Sequence, residues 1–252
     1  MRKHGVVFAG IVATGVLAGC ADDPPPPMKT YGTAAELGGA LREAMARHGS
    51  ATVDLDLGAS GRGTCVVRTS GEPGTRCEMA GTESSGGAAV DYTMLSGLVY
   101  VKVPQGLGDR PWVELAPIED ANPLAQAMAD VGAHVRDSAD VRVALPDGAT
   151  ITDRAEETVG GTRTVRYALA VPVVAGGGDR NLDQLAEQGV TSYTTVVWVG
   201  SDDLPVKSEV VTAVPGTSPV SVLATYRDWG GPVEITPPPV EQRGELPAVA
   251  PG

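Results

Sequence analysis

The residues of this 252-residue chain that could do chemistry are few in kind: three cysteines, three histidines and 31 carboxylates. Cys65 and Cys77 stand in Thr64-Cys65-Val66-Val67 and Thr75-Arg76-Cys77-Glu78-Met79. Between them, Thr69-Ser70-Gly71-Glu72-Pro73-Gly74 is dense in turn formers. The pair can therefore staple two adjacent antiparallel strands near their shared turn, and outside the cytoplasm it reads as a disulfide. A redox pair is the competing reading, but its spacing would be Cys-x-x-Cys. His48 and His134 fall in predicted helices, and neither His-Glu-x-x-His nor a Gly-x-Ser-x-Gly elbow occurs. Gly176-Gly177-Gly178 before a short helix could cradle an anion, yet it lacks the Gly-Lys-Ser/Thr ending of a phosphate loop. A hairpin loop is the alternative. Asp202-Asp203 could ligate calcium, but aspartates in a turn before Leu204-Pro205 need no ion. No catalytic set, cofactor motif or metal site is assigned, and an enzyme is not expected.

The third cysteine belongs to a different chemistry. Met1-Arg2-Lys3-His4 is a short basic start, and Gly5 to Ala18 carries no charge. That is a secretory-signal pattern ending on the small pair Ala18-Gly19 before Cys20. The apolar run is shorter than the ~20 residues a membrane-spanning helix needs. Leu17-Ala18-Gly19-Cys20 resembles the lipobox of bacterial lipoproteins, which implies diacylation of the Cys20 thiol and cleavage before it. An ordinary signal peptide with a chance cysteine is the other reading. Two acyl chains hold a protein stably on a membrane where one does not. The residues that follow, Asp22-Asp23-Pro24-Pro25-Pro26-Pro27, favour an extended spacer. The expected organisation is a signal over 1–19, an acylated tether over 20–29, one domain over 30–236 and a disordered Pro-rich tail over 237–252. The expected location is the outer face of the cell membrane.

Composition narrows the function. Without Arg2 and Lys3 the chain has 17 basic and 31 acidic residues, a formal charge of −14. That charge argues against nucleic acid as a partner and against an electrostatic grip on anionic lipid surfaces. Aromatics make up 4%, and Phe8, the sole phenylalanine, lies in the signal. The core must then be Val, Leu, Ala and Ile, which suits a hollow interior or a plain Val-rich sandwich equally.

The elements that would position these residues follow from caps and periodicity. Thr33-Ala34-Ala35-Glu36 is a capping box. The helix behind it carries Leu37, Leu41, Ala44 and Met45 on one face and closes at Gly49. Ala51 to Leu57 alternates as a strand wet on one face. After the cysteine hairpin, Ala89 to Met94 and Leu98 to Val103 form another hairpin at Ser96-Gly97, and Pro111 to Leu115 a short strand. Asn122-Pro123 opens a second helix, with Leu124, Met128, Val131 and Val135 as its apolar stripe. Strands are predicted at Val141 to Ala144 and Arg163 to Val174, and a brief helix at Asn181 to Gln188. Three more strands follow at Ser192 to Val199, Pro205 to Val214 and Val220 to Arg227. With no βαβ rhythm, the class is α+β: an antiparallel sheet with helices on one face.

Several stretches carry a resemblance. Gly97-Leu98-Val99-Tyr100-Val101-Lys102, Arg110-Pro111-Trp112-Val113, Val197-Trp198-Val199-Gly200-Ser201-Asp202-Asp203-Leu204-Pro205-Val206 and Thr225-Tyr226-Arg227-Asp228-Trp229-Gly230-Gly231-Pro232-Val233-Glu234-Ile235 follow the lipobox and capped helix. Together they resemble the LppX/LprAFG family of actinobacterial lipoproteins, whose domain is similar to that of the LolA and LolB carriers. The resemblance spans roughly residues 30 to 240 and rests on strand and turn patterns. It implies a strongly curved antiparallel half-barrel with helices packed on its concave face. It also implies an apolar cavity for the acyl chains of a lipid or glycolipid, which the protein carries or transfers. The lining residues would be Leu37, Leu41, Met45, Val99, Val101, Leu124, Met128, Val131 and Val135. A polar substitution at Val131 or Met128 would then abolish cargo. The competing function is an envelope sensor or protein-interaction lipoprotein of the same fold with a closed cavity. The expected partners are a lipid or glycolipid cargo and the membrane through Cys20, with a possible envelope protein and a monomeric state.

Overall fold

The structure, a computed structural model, describes residues 26–81, 87–103, 108–115, 123–176 and 180–246. Among these, every strand belongs to one sheet. The first helix, α1 (Ala34–His48), starts at the capping box read from the sequence. The Thr33 hydroxyl accepts from Glu36 N at 3.2 Å, and the Glu36 carboxylate accepts from Thr33 N at 3.1 Å. It ends at Gly49, whose φ of 80° lets its N–H close on Met45 O. Then come β1 (Ser50–Asp56), β2 (Arg62–Arg68), β3 (Gly74–Met79), β4 (Val90–Leu95), β5 (Leu98–Lys102) and β6 (Trp112–Leu115). The helix α2 (Pro123–Ala139) leads to β7 (Thr150–Val159) and β8 (Thr162–Pro172). The chain continues through α3 (Arg180–Glu187), β9 (Ser192–Val199), β10 (Pro205–Thr212), β11 (Val220–Arg227) and β12 (Arg243–Gly244).

The strand order is β12-β6-β5-β4-β3-β2-β1-β11-β10-β9-β8-β7. Two meanders thus meet where β1 pairs β11, and α2 carries the chain from one side of the sheet to the other. Pairing is antiparallel throughout except for β12 on β6. The sheet is curled and unclosed, with β12 and β7 as its edges, and α2 packs across β1, β4, β5, β6 and β11 on the inner face. The class is α+β, a half-barrel as expected. Along β1, Ala51, Val53 and Leu55 face the core while Thr52, Asp54 and Asp56 stay half-exposed. On that outer face the Asp54 carboxylate joins three strands, accepting from Thr64 at 2.8 Å and from Arg227 at 2.9 Å. Ser96 and Gly97 turn β4 into β5 with φ of 55° and 80°, the two positive values a type I′ hairpin needs. Cys65 and Cys77 are register partners in β2 and β3 and are joined as a disulfide, fully buried on the inner face.

Four expectations change. The strand predicted at Val141 to Ala144 is instead a series of turns after α2, with Val143 N bonded to Asp140 O and Ala144 N to Val141 O. The edge strand β7 was not foreseen. Its apolar residues Ile151, Ala155 and Val159 recur every fourth position, so no alternation marks it. Register and charge hold it instead: Arg166 of β8 pairs with Asp153 and Glu157, and Arg163 with Glu156.

The tail expected from residue 237 is structured as far as Leu246. Pro238 is buried, Val240–Gln242 form a 3-10 turn, and β12 pairs with β6. Its anchor is Arg243, which reaches Glu114 at 2.8 Å and lies over the Tyr100 ring. The end of the tether is also docked. Arg163 donates to Pro26 O, Met28 N to Glu156, and Lys29 to Asp203 at 2.8 Å. Tyr31 completes this clasp: its N–H donates to the Tyr167 hydroxyl, its own hydroxyl to Asp203, and its carbonyl accepts from Arg154. The signal, Cys20, Asn122 and residues 247–252 lie outside the described residues.

Candidate apolar binding site

The concave face of the sheet is apolar because every second residue along its strands is apolar and points inward. Val53 and Leu55 of β1, Tyr92 and Met94 of β4, Val99 and Val101 of β5, and Val113 and Leu115 of β6 are all at most 7% exposed. Helix α1 adds Leu37, Leu41 and Met45, each no more than 1% exposed. Val135 of α2 joins the same core, and Met128 packs at its margin. Six of the nine expected lining residues thus come together: Leu37, Leu41, Met45, Val99, Val101 and Val135. The Leu124 side chain lies outside the described residues. Val131 departs from expectation, being 51% exposed on the outer side of α2.

The reason lies in how closely α2 approaches the sheet. Its buried residues are Ala125, Ala129, Gly132, Val135 and Ala139. A Cβ on Gly132 would come within 2.7 Å of Val99 Cγ1 and 3.3 Å of Tyr92 Cδ1. Only small side chains fit that gap, so Val131 turns outward and the larger Met128 is left half-buried at the margin of the core. The sequence contains both stripes, which share Val135, and the close approach selects the one of smaller residues. Burial pushes the Tyr92 hydroxyl above its ordinary pKa, in keeping with the dry surroundings.

Side chains fill the core between helices and sheet. A cavity of about 200 Å³ opens at one end, where the β2–β3 and β4–β5 turns meet the ends of α1 and α2. Another of about 200 Å³ lies by β6, β12 and Ala125. Ligand pockets commonly measure about 300–1,000 Å³, so acyl chains would need the cover to move. The first cavity has an apolar floor of Met45, Met94 and Ala139 and a rim that includes Arg68, Arg136 and Arg142. No sequence signal marked these arginines, which are scattered along the chain and meet only through the fold.

The other candidate groups are engaged elsewhere. Gly176 N–H donates to Asp183 at 2.6 Å, while Gly177 and Gly178 lie outside the described residues. Asp202 accepts from Leu204 N, and Asp203 holds Lys29 and Tyr31. Burial raises the Asp203 carboxyl, but the Lys29 and Tyr31 hydrogen bonds outweigh it and hold the group below its usual pKa. Among the described residues no three His, Cys, Asp or Glu side chains are grouped to hold a metal.

No family model and no curated protein matches the chain. Solved structures do. LprF from Mycobacterium bovis is 16% identical over 81% of this chain and 96% of its own, with a TM-score of 0.48. A LolA superfamily protein from Nitrosomonas europaea is 13% identical over 78% and 92%, at 0.33. The Pseudomonas aeruginosa MucA/MucB complex is matched at 12% identity over 80% of this chain and 59% of the matched one, at 0.35. LprF and a LolA superfamily protein, groups named from the sequence, are thus among the structures matched. The functional reading rests on the chain's own geometry.

Proposed function

We propose that the chain is an exported envelope lipoprotein that binds the acyl chains of a lipid or glycolipid between α2 and the concave sheet, and carries or transfers that lipid. In this reading the acylated Cys20 holds it on the outer face of the cell membrane, and the domain works as a monomer without catalysis. The observation that carries the proposal is the mismatch between the two surfaces. A broad apolar sheet is covered by a helix whose inner face is mostly Ala and Gly. Each methylene buried contributes about 0.8 kcal/mol, so an alanine-faced helix is held less firmly than a leucine-faced one. α1, with Leu37, Leu41 and Met45 fully buried, is the fixed wall, and α2 is the cover that lifts. Acyl chains replacing it would find the same dry Val, Leu and Met surface.

Native mass spectrometry of the chain purified from its own envelope, followed by organic extraction, tests this. A stoichiometric adduct that extracts as a two-chain lipid is expected. A bare mass that stays bare after incubation with envelope lipids would overturn the carrier reading and favour a protein partner.

A further inference from the structure

In a chain with 31 acidic and 19 basic residues, three arginines converge on the rim of one cavity. Arg68 comes from the end of β2, Arg136 from the last turn of α2 and Arg142 from the turns that follow. Their side chains are 26%, 45% and 33% exposed, so the stems are covered while the guanidinium heads reach the opening. Among the described residues one carboxylate, Asp140, lines the same cavity. It holds Arg142 in a two-pronged pair, Nε to Oδ1 at 2.8 Å and Nη2 to Oδ2 at 2.6 Å. Arg136 leans on Asp137, and Arg68 donates to Glu72 O, with the Glu72 carboxylate 3.9 Å away. A guanidinium has five N–H donors, more than one carboxylate can take up. Beneath this charged rim lie Met45, Met94 and Ala139, each at most 4% exposed. Methionine is the most adaptable apolar side chain, so this floor can yield toward the core.

A rim of three arginines, each with more N–H donors than its own carboxylate can take up, over a pliable apolar floor fits one ligand class. We propose that this cavity is the mouth of the binding site and selects an anionic amphiphile. Arg68, Arg136 and Arg142 take the phosphate or carboxylate of its headgroup while the acyl chains pass Met45 and Met94 beneath α2. The inference rests on the lipid-binding reading above and adds the charge of the cargo. Arginine forks match such oxyanions with paired hydrogen bonds that lysine cannot reproduce. Asp140 occupies Arg142 until the headgroup arrives and so acts as an internal competitor.

The test uses the full-length chain in dodecyl maltoside micelles, with bound mass read by native mass spectrometry. The probes are dioleoylphosphatidylglycerol, dioleoylglycerol with the same chains, and inorganic phosphate. Wild-type protein should retain phosphatidylglycerol at least about tenfold better than dioleoylglycerol, since a charge-assisted hydrogen bond is worth that factor or more. R68Q with R142Q should lose that preference while still retaining dioleoylglycerol, which also shows that the variant folds. R142K should fall between, and D140N should raise the preference above wild type. If the double variant does not fold, R68Q alone should cut the preference at least threefold. Equal retention of the two lipids by wild type would overturn the headgroup proposal and leave lipid binding standing. Retention of phosphate but of neither lipid would make this a free-anion site and overturn the amphiphile. Retention of none would overturn both.

Discussion

Asp203 shows how much one side chain can organise. It sits at φ 64° in the β9–β10 turn, a conformation that aspartate and asparagine tolerate better than most residues. From there it receives Lys29 and Tyr31 and fastens the segment before α1 to the sheet. Its depressed pKa means the clasp is fully present above the ordinary carboxylate value, ~4, and is lost as pH falls through the lower folded value. Amide-exchange protection at Tyr31, whose N–H donates to Tyr167 inside the clasp, should therefore be high at neutral pH and collapse in strong acid. D203N, which keeps the turn but not the charge, should show weaker protection with little change between the two. Thr195 presents the opposite case. Its hydroxyl is fully buried and has no hydrogen-bond partner among the described residues. Thr195→Val keeps the shape and removes the desolvation cost, so urea denaturation should report a gain of about 1 kcal/mol.

At the scale of elements, helix α2 is defined by what its inner face lacks. Gly132→Ala places a methyl against Val99 and Tyr92 and must push helix from sheet, at a cost of about 1–3 kcal/mol. The same substitution at Gly39 of α1 meets nothing within 4 Å. There the helix gains, by roughly 0.5–1 kcal/mol. Opposite shifts in melting temperature for G132A and G39A would check the close approach directly; parallel shifts would refute it. The β2–β3 hairpin is held by a covalent link as well as by its ladder. Replacing both Cys65 and Cys77 by alanine should lower stability by about 2–3 kcal/mol, as expected for a loop of this length. Reduction of the native protein should match that loss in a denaturant titration.

Across the whole molecule, the two edges of the sheet are protected differently. β7 carries charged residues, which discourage pairing with another chain. β6 is instead covered by β12, which arrives from the far end of the sequence. Ending the chain at residue 236 would remove β12 and Arg243 and leave the β6 backbone open. The shortened protein should melt earlier and aggregate on heating, whereas ending it at 246 keeps β12 and Arg243 and should melt later than the form ending at 236. Scanning calorimetry with light scattering distinguishes these outcomes.

Local signals in the sequence were enough for whatever is set by neighbours along the chain. The capping box and Gly49 placed α1 because a helix end is satisfied by residues three or four positions away. Alternation placed β1, and Ser96-Gly97 the hairpin, because turn and pleat are short-range geometry. Cys65 and Cys77 could be paired because only a turn separates them. Tertiary structure alone decided which of two stripes on α2 faces inward, since that depends on how near Tyr92 and Val99 come. It also made a strand of β7, which owes its form to pairing with β8, and bound the tether and tail to distant strands. The arginine rim belongs to the same class, its members separated along the chain and joined only by the curl of the sheet. Contacts of that kind depend on the shape of a surface that does not exist until the rest of the chain has folded.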